Sequence, residues 1–105
     1  MKDIERANDF LQQAQSEMGD RAKTYDAPAG ERSMAKTVTM FNALTGQNLS
    51  EQDGWKFMLC LKLARSEQGE FRADNFVDGA AYFALAGETA QAEQNRKDLQ
   101  SAMKG

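Results

Sequence analysis

A short stretch of the sequence, GDRAKTYDAP at residues 19–28, places Arg21, Lys23 and Tyr25 within five positions. The segments on either side have the apolar spacing of amphipathic helices, so the stretch is predicted to be the loop between them. A connection between helices needs neither cations nor a phenol. Guanidinium and ammonium groups bind phosphate, and a tyrosine ring offers a stacking face. These three side chains are therefore candidate contacts to an anionic ligand.

A second group of charged side chains lies on two later segments that are predicted to be helical. Lys62 and Arg65 are three residues apart and so share one helix face. Asp74 and Asp78 are four apart, and Tyr82 continues the same line. If the two helices are antiparallel neighbours joined by a short loop, the cations face the carboxylates.

Two interpretations of this arrangement remain open. In the first, the two cations form ion pairs with the two aspartates across the helix interface; such pairs are costly to desolvate but fix register. In the second, the same side chains line a polar pocket for a phosphorylated ligand, with residues 19–28 as its lid. The two are compatible, because ion pairs in a pocket floor also hold cations in place. The predicted ligand-binding residues are Arg21, Lys23, Tyr25, Lys62, Arg65, Asp78 and Tyr82.

The elements that must position these groups are four predicted helices. The first carries an apolar i, i+3, i+4, i+7 stripe and is expected to end at Gly19, since glycine favours the position after a helix. The second is expected at about residues 30–45, with Gly46 after it. The pattern breaks again at Gly69, and the fourth helix is expected to begin near Asp74.

The third predicted helix, at about residues 51–67, is the most apolar segment. Ser50 with Asp53 three residues later resembles a capping box at its start. From Trp55 to Ala64 apolar residues occupy almost every angle about the axis, which is typical of a helix in the middle of a bundle. Cys60 lies in this run and is predicted to be an inert core thiol.

After Gly87 the composition becomes polar, with a sparse apolar face of Leu99, Ala102 and Met103. This segment is predicted to be either a helical extension or a short fifth helix, and so thin a face suggests either packing on a partner subunit or weak order. Strand signals are absent. The expected fold is all-α: a four-helix bundle-like domain at residues 1–88, followed by a polar helical tail at 89–105.

Composition limits the function classes. The 105 residues carry a net charge of −3, which argues against general nucleic-acid or anionic-membrane binding. The chain has no His, which excludes Ser-His and Cys-His nucleophiles and imidazole-based zinc sites. No signal-peptide pattern and no 18-residue apolar run occur, so a cytoplasmic protein is expected. Bundles of this size commonly self-associate, so a homo-oligomer is also expected.

The succession GDRAKTY, LCLKLAR and DNFVDGAAYFAL resembles an uncharacterised family of small proteins common in bacteriophages and prophages. The resemblance covers roughly residues 10–88 and departs at Asp26, where the family usually has glycine. It marks Gly19, Asp20, Arg21, Tyr25, Lys62, Arg65, Asp74, Asp78, Gly79 and Tyr82.

The helical arrangement is also distantly similar to MazG-type nucleoside triphosphate pyrophosphohydrolases. Those enzymes hold magnesium with an ExxE pair on one helix and an E/DxxD pair on the next. Here Asp74 and Asp78 supply a partial second pair, but Lys62 and Arg65 stand where the glutamates are expected. Two cations would oppose a magnesium ion, so no cofactor is expected; magnesium on the two aspartates belongs only to a hydrolase alternative.

Three functions follow as expectations. The leading one is a phage-encoded protein of the host cytoplasm that binds a nucleotide-type ligand without catalysis and so sequesters a host defence signal. The second is MazG-like, magnesium-dependent hydrolysis of a nucleoside triphosphate. The third is an interaction protein that inhibits a host protein and needs no small ligand.

Overall fold

The computed structural model of the protein describes residues 5–25 and 33–104 and, within them, all side chains except those of residues 21–25. The described residues form four α-helices: α1 (Ala7–Tyr25), α2 (Ser33–Thr45), α3 (Glu51–Ser66) and α4 (Ala73–Lys104). They contain no strand. The predicted all-α class, with four helices packed in one domain, is confirmed.

Helix α4 packs against both α3 and α1. On one side, its Tyr82 and Ala86 join a cluster of buried side chains from α2 and α3. On another, its Val77 and Ala81 pack against Ala14 of α1. The numerous small residues on α4 allow both neighbours to approach closely. Two small clusters therefore form the core, one on each side of α4.

The expectation that α3 is buried on all sides in the middle of the bundle is wrong. It contacts α2 and α4, and Trp55 is buried there. Its remaining surface faces solvent, so Phe57, Leu63 and Cys60 are exposed. Cys60 is therefore not a core thiol. The apolar residues around α3 exceed what two neighbouring helices can cover.

The first helix does not end at Gly19. α1 continues through this residue to Tyr25, and Gly19 lacks the positive φ that the described residues show only at Gly46 and Gly69. A helical glycine costs about 0.5–1 kcal/mol relative to alanine, but it ends a helix only where it adopts the left-handed conformation. Residues 19–25 of the predicted loop thus have a helical backbone, whereas residues 26–28 lie outside the described residues.

The connection between α2 and α3 agrees with the sequence signals. Gly46 follows α2 with a φ of 77°, and the Asn42 amide closes the loop with two 2.9 Å hydrogen bonds to the Leu49 backbone. The predicted capping box is confirmed: Ser50 N–H donates to Asp53 Oδ2, and Asp53 N–H donates to Ser50 Oγ, both at 3.0 Å. The backbone and then the hydroxyl of Ser50 hold the pKa of Asp53 below its ordinary value of 3.8.

The segment after Gly87 is an extension of α4, not a fifth helix. α4 runs without interruption for 32 residues, and its residues from 94 to 104 are exposed. The molecule measures 61 × 30 × 26 Å, and its radius of gyration is 16.4 Å, against about 13 Å for a compact chain of this length. No helix among the described residues is both long and apolar enough to cross a bilayer.

Candidate anion-binding site

Lys62 and Asp78 form an ion pair across the interface between α3 and α4. The distance between Lys62 Nζ and Asp78 Oδ2 is 3.0 Å, and the two side chains are 10% and 14% exposed. Gly79, next to Asp78, lies against α3: a Cβ atom there would be in ordinary van der Waals contact with Lys62 Cβ, at 3.7 Å. This pair is the structural ion pair that the first interpretation predicted.

Tyr82, one turn beyond Asp78, is a core residue. It is buried, and its ring stacks on the Trp55 indole with ring centroids 5.9 Å apart. Because Trp55 covers one face of the ring, Tyr82 is poorly placed to stack on a ligand. The structure thus puts this predicted ligand contact in the main hydrophobic cluster.

Arg65 and Asp74 do not pair with each other among the described residues. Arg65 is exposed. Asp74 instead forms an ion pair with Arg72: the distance between Arg72 Nε and Asp74 Oδ1 is 3.4 Å, and the side chains of Arg72 and Asp74 are both more than half exposed. Of the two cations and two aspartates that the first interpretation pairs across the interface, Lys62 and Asp78 form such an ion pair, whereas Asp74 pairs with Arg72 of its own segment. The difference leaves the Arg65 guanidinium facing solvent.

A groove of about 320 Å³ lies where α3 turns into α4. We call it the polar groove; its lining consists of Arg65, Gln68, Arg72, Asp74 and Asn75. Two guanidinium groups against one carboxylate give it an excess of positive charge. The first turn of α4 borders it, and backbone N–H groups at a helix start favour anions. An anion is the ligand that this combination suits.

Asn75 is the unusual residue of the polar groove. It is 6% exposed, and its side-chain amide makes no hydrogen bond with any part of the chain that the structure describes; only its backbone N–H does, with Arg72 O at 3.2 Å. An unsatisfied buried polar group costs about 1–3 kcal/mol, and such groups are uncommon in folded proteins. Among the described residues the amide lacks a partner, and a ligand in the groove would supply one.

Three of the groove residues, Gln68, Arg72 and Asn75, were not predicted from the sequence. A signal was available, because the segment EQGEFRADN concentrates polar residues around Gly69, at the turn between two helices. Only the packing of α3 on α4 shows that these residues meet Arg65.

The remaining predicted residues lie on α1. Arg21, Lys23 and Tyr25 belong to its last turns, and their side chains are outside the described part of the structure. Of the predicted site, the structure therefore brings Lys62 and Asp78 together, places Arg65 in the polar groove and places Tyr82 in the core.

The two aspartates of the hydrolase alternative do not form a metal site that fits magnesium. Asp78 is paired with Lys62 and Asp74 with Arg72, so an ion would have to displace both cations. No group of three or more His, Cys, Asp or Glu side chains suited to hold a metal occurs among the described residues. Magnesium usually needs carboxylates that are free to bind it.

Comparison with known proteins identifies the chain at the family level. No curated protein and no solved structure gives a significant match. Residues 9–90 match the family model described as a domain of unknown function, DUF6378. This span contains the polar groove, the Lys62–Asp78 ion pair and well over half of the 105 residues. The chain therefore belongs to the DUF6378 family.

Proposed function

We propose that this protein binds a phosphorylated, nucleotide-type ligand without transforming it, and that the phosphate occupies the polar groove. The observation that carries the proposal is the buried amide of Asn75, which has no partner among the described residues and lies beside two exposed guanidinium groups.

The phosphate contacts are Arg65 and Arg72. Arg65 has no ion pair within the described residues, so binding need not break one. Arg72 uses Nε for Asp74 at 3.4 Å, which is long for a charged hydrogen bond, so a phosphate can compete for this guanidinium. Paired N–H groups of arginine match the paired oxygens of phosphate and of carboxylate, which favours an oxyanion over a halide.

Asn75 supports the nucleotide part of the proposal. A side-chain amide donates and accepts hydrogen bonds at once, and so can bond to the polar edge of a base or to a ribose hydroxyl. Inorganic phosphate offers mainly acceptors, so it would bond to the NH₂ group of the amide and leave the amide oxygen without a donor. The amide therefore favours a ligand that carries both donors and acceptors beside its phosphate.

Binding without catalysis fits the groups that are present. The chain has no His, and both aspartates of the magnesium alternative are ion-paired. Stoichiometric capture of a ligand requires no catalytic group. The resemblance to phage and prophage proteins supports a role in sequestering a host defence signal.

Isothermal titration calorimetry with nucleoside mono-, di- and triphosphates, and with inorganic phosphate, tests the proposal. We expect the wild type to bind at least one nucleotide, and Arg65→Ala with Arg72→Ala to abolish binding, since each charged hydrogen bond contributes about 1.5–3 kcal/mol. Arg96→Ala is the matched control, because this arginine lies on the exposed tail of α4 and should leave affinity unchanged.

Asn75→Leu separates the base contact from the phosphate contact. We expect it to weaken nucleotide binding while leaving the weaker affinity for phosphate in place. Chromatography of the nucleotide after incubation with magnesium should show no product. The proposal is wrong if no member of the panel binds, if Arg96→Ala weakens binding as much as the groove variants, or if the nucleotide is hydrolysed.

A further inference from the structure

Five large apolar side chains near the junction of α1, α3 and α4 are open to solvent. They are between 49% and 74% exposed. We call this surface the apolar patch, and its members are Leu11, Leu63, Phe71, Phe76 and Phe83. Single exposed apolar residues are normal on a folded protein, whereas the largest contiguous patch is often a functional surface.

The patch is continuous because two grooves meet at Phe76. One, of about 240 Å³, runs between α3 and α4 and includes Leu63 and Phe83 in its lining. The other, of about 430 Å³, includes Leu11 and Phe71. The Phe76 ring lines both grooves and packs against Phe71, with ring centroids 5.9 Å apart. The five side chains therefore form one surface with two depressions.

The patch is large enough for a protein interface. Large side chains bury about 150–250 Å² each when fully covered, so five of them, half to three quarters exposed, present on the order of 600 Å² of apolar surface. That equals the upper end of about 300–600 Å² for the largest patch on an ordinary monomer. Two copies of the patch would together bury on the order of 1,200 Å², above the roughly 1,000 Å² that a biological interface should clear.

We propose that the apolar patch is a symmetric dimer interface, occupied by the same patch of a second copy of this chain. Of the described residues that line the two grooves, Lys62 alone is charged, and Asp78 pairs with it. In a two-fold interface each residue near the axis meets its own copy, so a charge there would face a like charge. A patch without unpaired charge avoids this repulsion between like charges. The interfaces of homodimers are also typically the most apolar ones.

The two grooves are placed so that, across a two-fold axis, each groove of one copy can face the other groove of the second copy. With the axis near Phe76, the groove beside Leu63 and Phe83 on one copy would face the groove beside Leu11 and Phe71 on the other. Phe71 is the most exposed member, at 74%, and would be the side chain that enters the partner's groove. The apolar patch and the polar groove are adjacent, because Asn75 lines both the polar groove and the groove beside Leu63 and Phe83.

Size-exclusion chromatography with light scattering, over a wide range of protein concentration, tests the proposal. We expect the wild type at twice the chain mass of 11.7 kDa. Phe83→Glu and Leu63→Glu should each raise the dimer dissociation constant by roughly 100-fold or more, as expected for central interface residues. Both residues are more than half exposed, so circular dichroism should show unchanged helix content in the monomers.

Leu44→Glu is the matched control. Leu44 on α2 is 84% exposed and lines neither groove, so this variant should remain dimeric. A wild type that is monomeric at every concentration overturns the proposal. So does a dimer that survives both patch substitutions, or one that Leu44→Glu dissociates as strongly as they do.

Discussion

At the scale of single residues, burial separates groups that look alike in the sequence. Lys62 and Arg65 are both cations on an apolar helix, and either could bind a phosphate or an aspartate. The structure buries Lys62 against Asp78, with 3.0 Å between the charged atoms, and leaves Arg65 exposed in the polar groove. Lys62 is therefore assigned to the stability of the fold, and Arg65 to ligand binding.

Lys62→Met tests this division. Removing one member of a buried ion pair typically costs about 3–5 kcal/mol, and here the Asp78 carboxylate loses the Lys62 ammonium. We expect a loss of this size in the free energy of unfolding, measured by urea denaturation. Adding Asp78→Leu should recover part of the loss, since both charges are then gone.

Arg65→Met is the control for the Lys62 variant. It shortens an exposed side chain of the same helix and should change the free energy of unfolding by less than about 0.5 kcal/mol, while it weakens nucleotide binding. Equal destabilisation by the two variants would contradict the assignment of Lys62 to stability and Arg65 to the ligand.

At the scale of helices, the sequence correctly predicts features that depend on neighbouring residues. It does not predict features that depend on contacts between distant residues. The Ser50–Asp53 capping box and the turn at Gly46 are made by neighbouring backbone groups. Gly19 has the same local appearance as Gly46, yet α1 passes through it. Whether α1 continues past a glycine depends partly on its packing against α4, which the local pattern does not contain.

Gly54 is a helix-packing residue that the sequence did not reveal. It is buried where α3 meets α2; a methyl group there would lie 2.8 Å from Val38 Cγ1 and would also overlap Met34 Sδ. Val38 is β-branched and cannot easily move aside. Gly54→Ala should therefore lower the free energy of unfolding by about 1–3 kcal/mol, as overpacking does, measured by thermal or urea denaturation.

Gly87→Ala is the matched control for Gly54→Ala. Gly87 is also helical, but a Cβ atom there would meet nothing within 4 Å. This substitution should raise the free energy of unfolding by about 0.5–1 kcal/mol, because alanine loses less backbone entropy in a helix. If Gly54→Ala and Gly87→Ala both raise the free energy of unfolding, the inference that α2 packs too closely at Gly54 to admit a methyl group is wrong.

At the scale of the whole molecule, the length of α4 determines the shape. The helix serves as the centre of the bundle in its first half and extends beyond it in its second, which gives the 61 Å long axis. A 3.2 Å hydrogen bond from Gln52 Nε2 to Glu93 Oε2 ties the extension to α3. Beyond it, the exposed Leu99 and Met103 face solvent.

Deleting residues 95–105 tests the role of this extension. The deleted residues that the structure describes are exposed, so we expect the melting temperature to change by less than about 4 °C. Far-UV circular dichroism should fall in proportion to the helix removed. The dimer should persist on light scattering; its loss would assign self-association to the tail and contradict the apolar patch as the interface.

The sequence by itself determined the helical class, the turns at Gly46 and Gly69, the capping box and the line of Asp74, Asp78 and Tyr82. These depend on periodicity and on hydrogen bonds between neighbouring residues. Only the tertiary structure decided that Lys62 is buried and Arg65 exposed, and that Asn75 and Arg72 meet Arg65 in the polar groove. The physical reason is that burial depends on which helix faces are covered, and residues distant in the chain provide that cover.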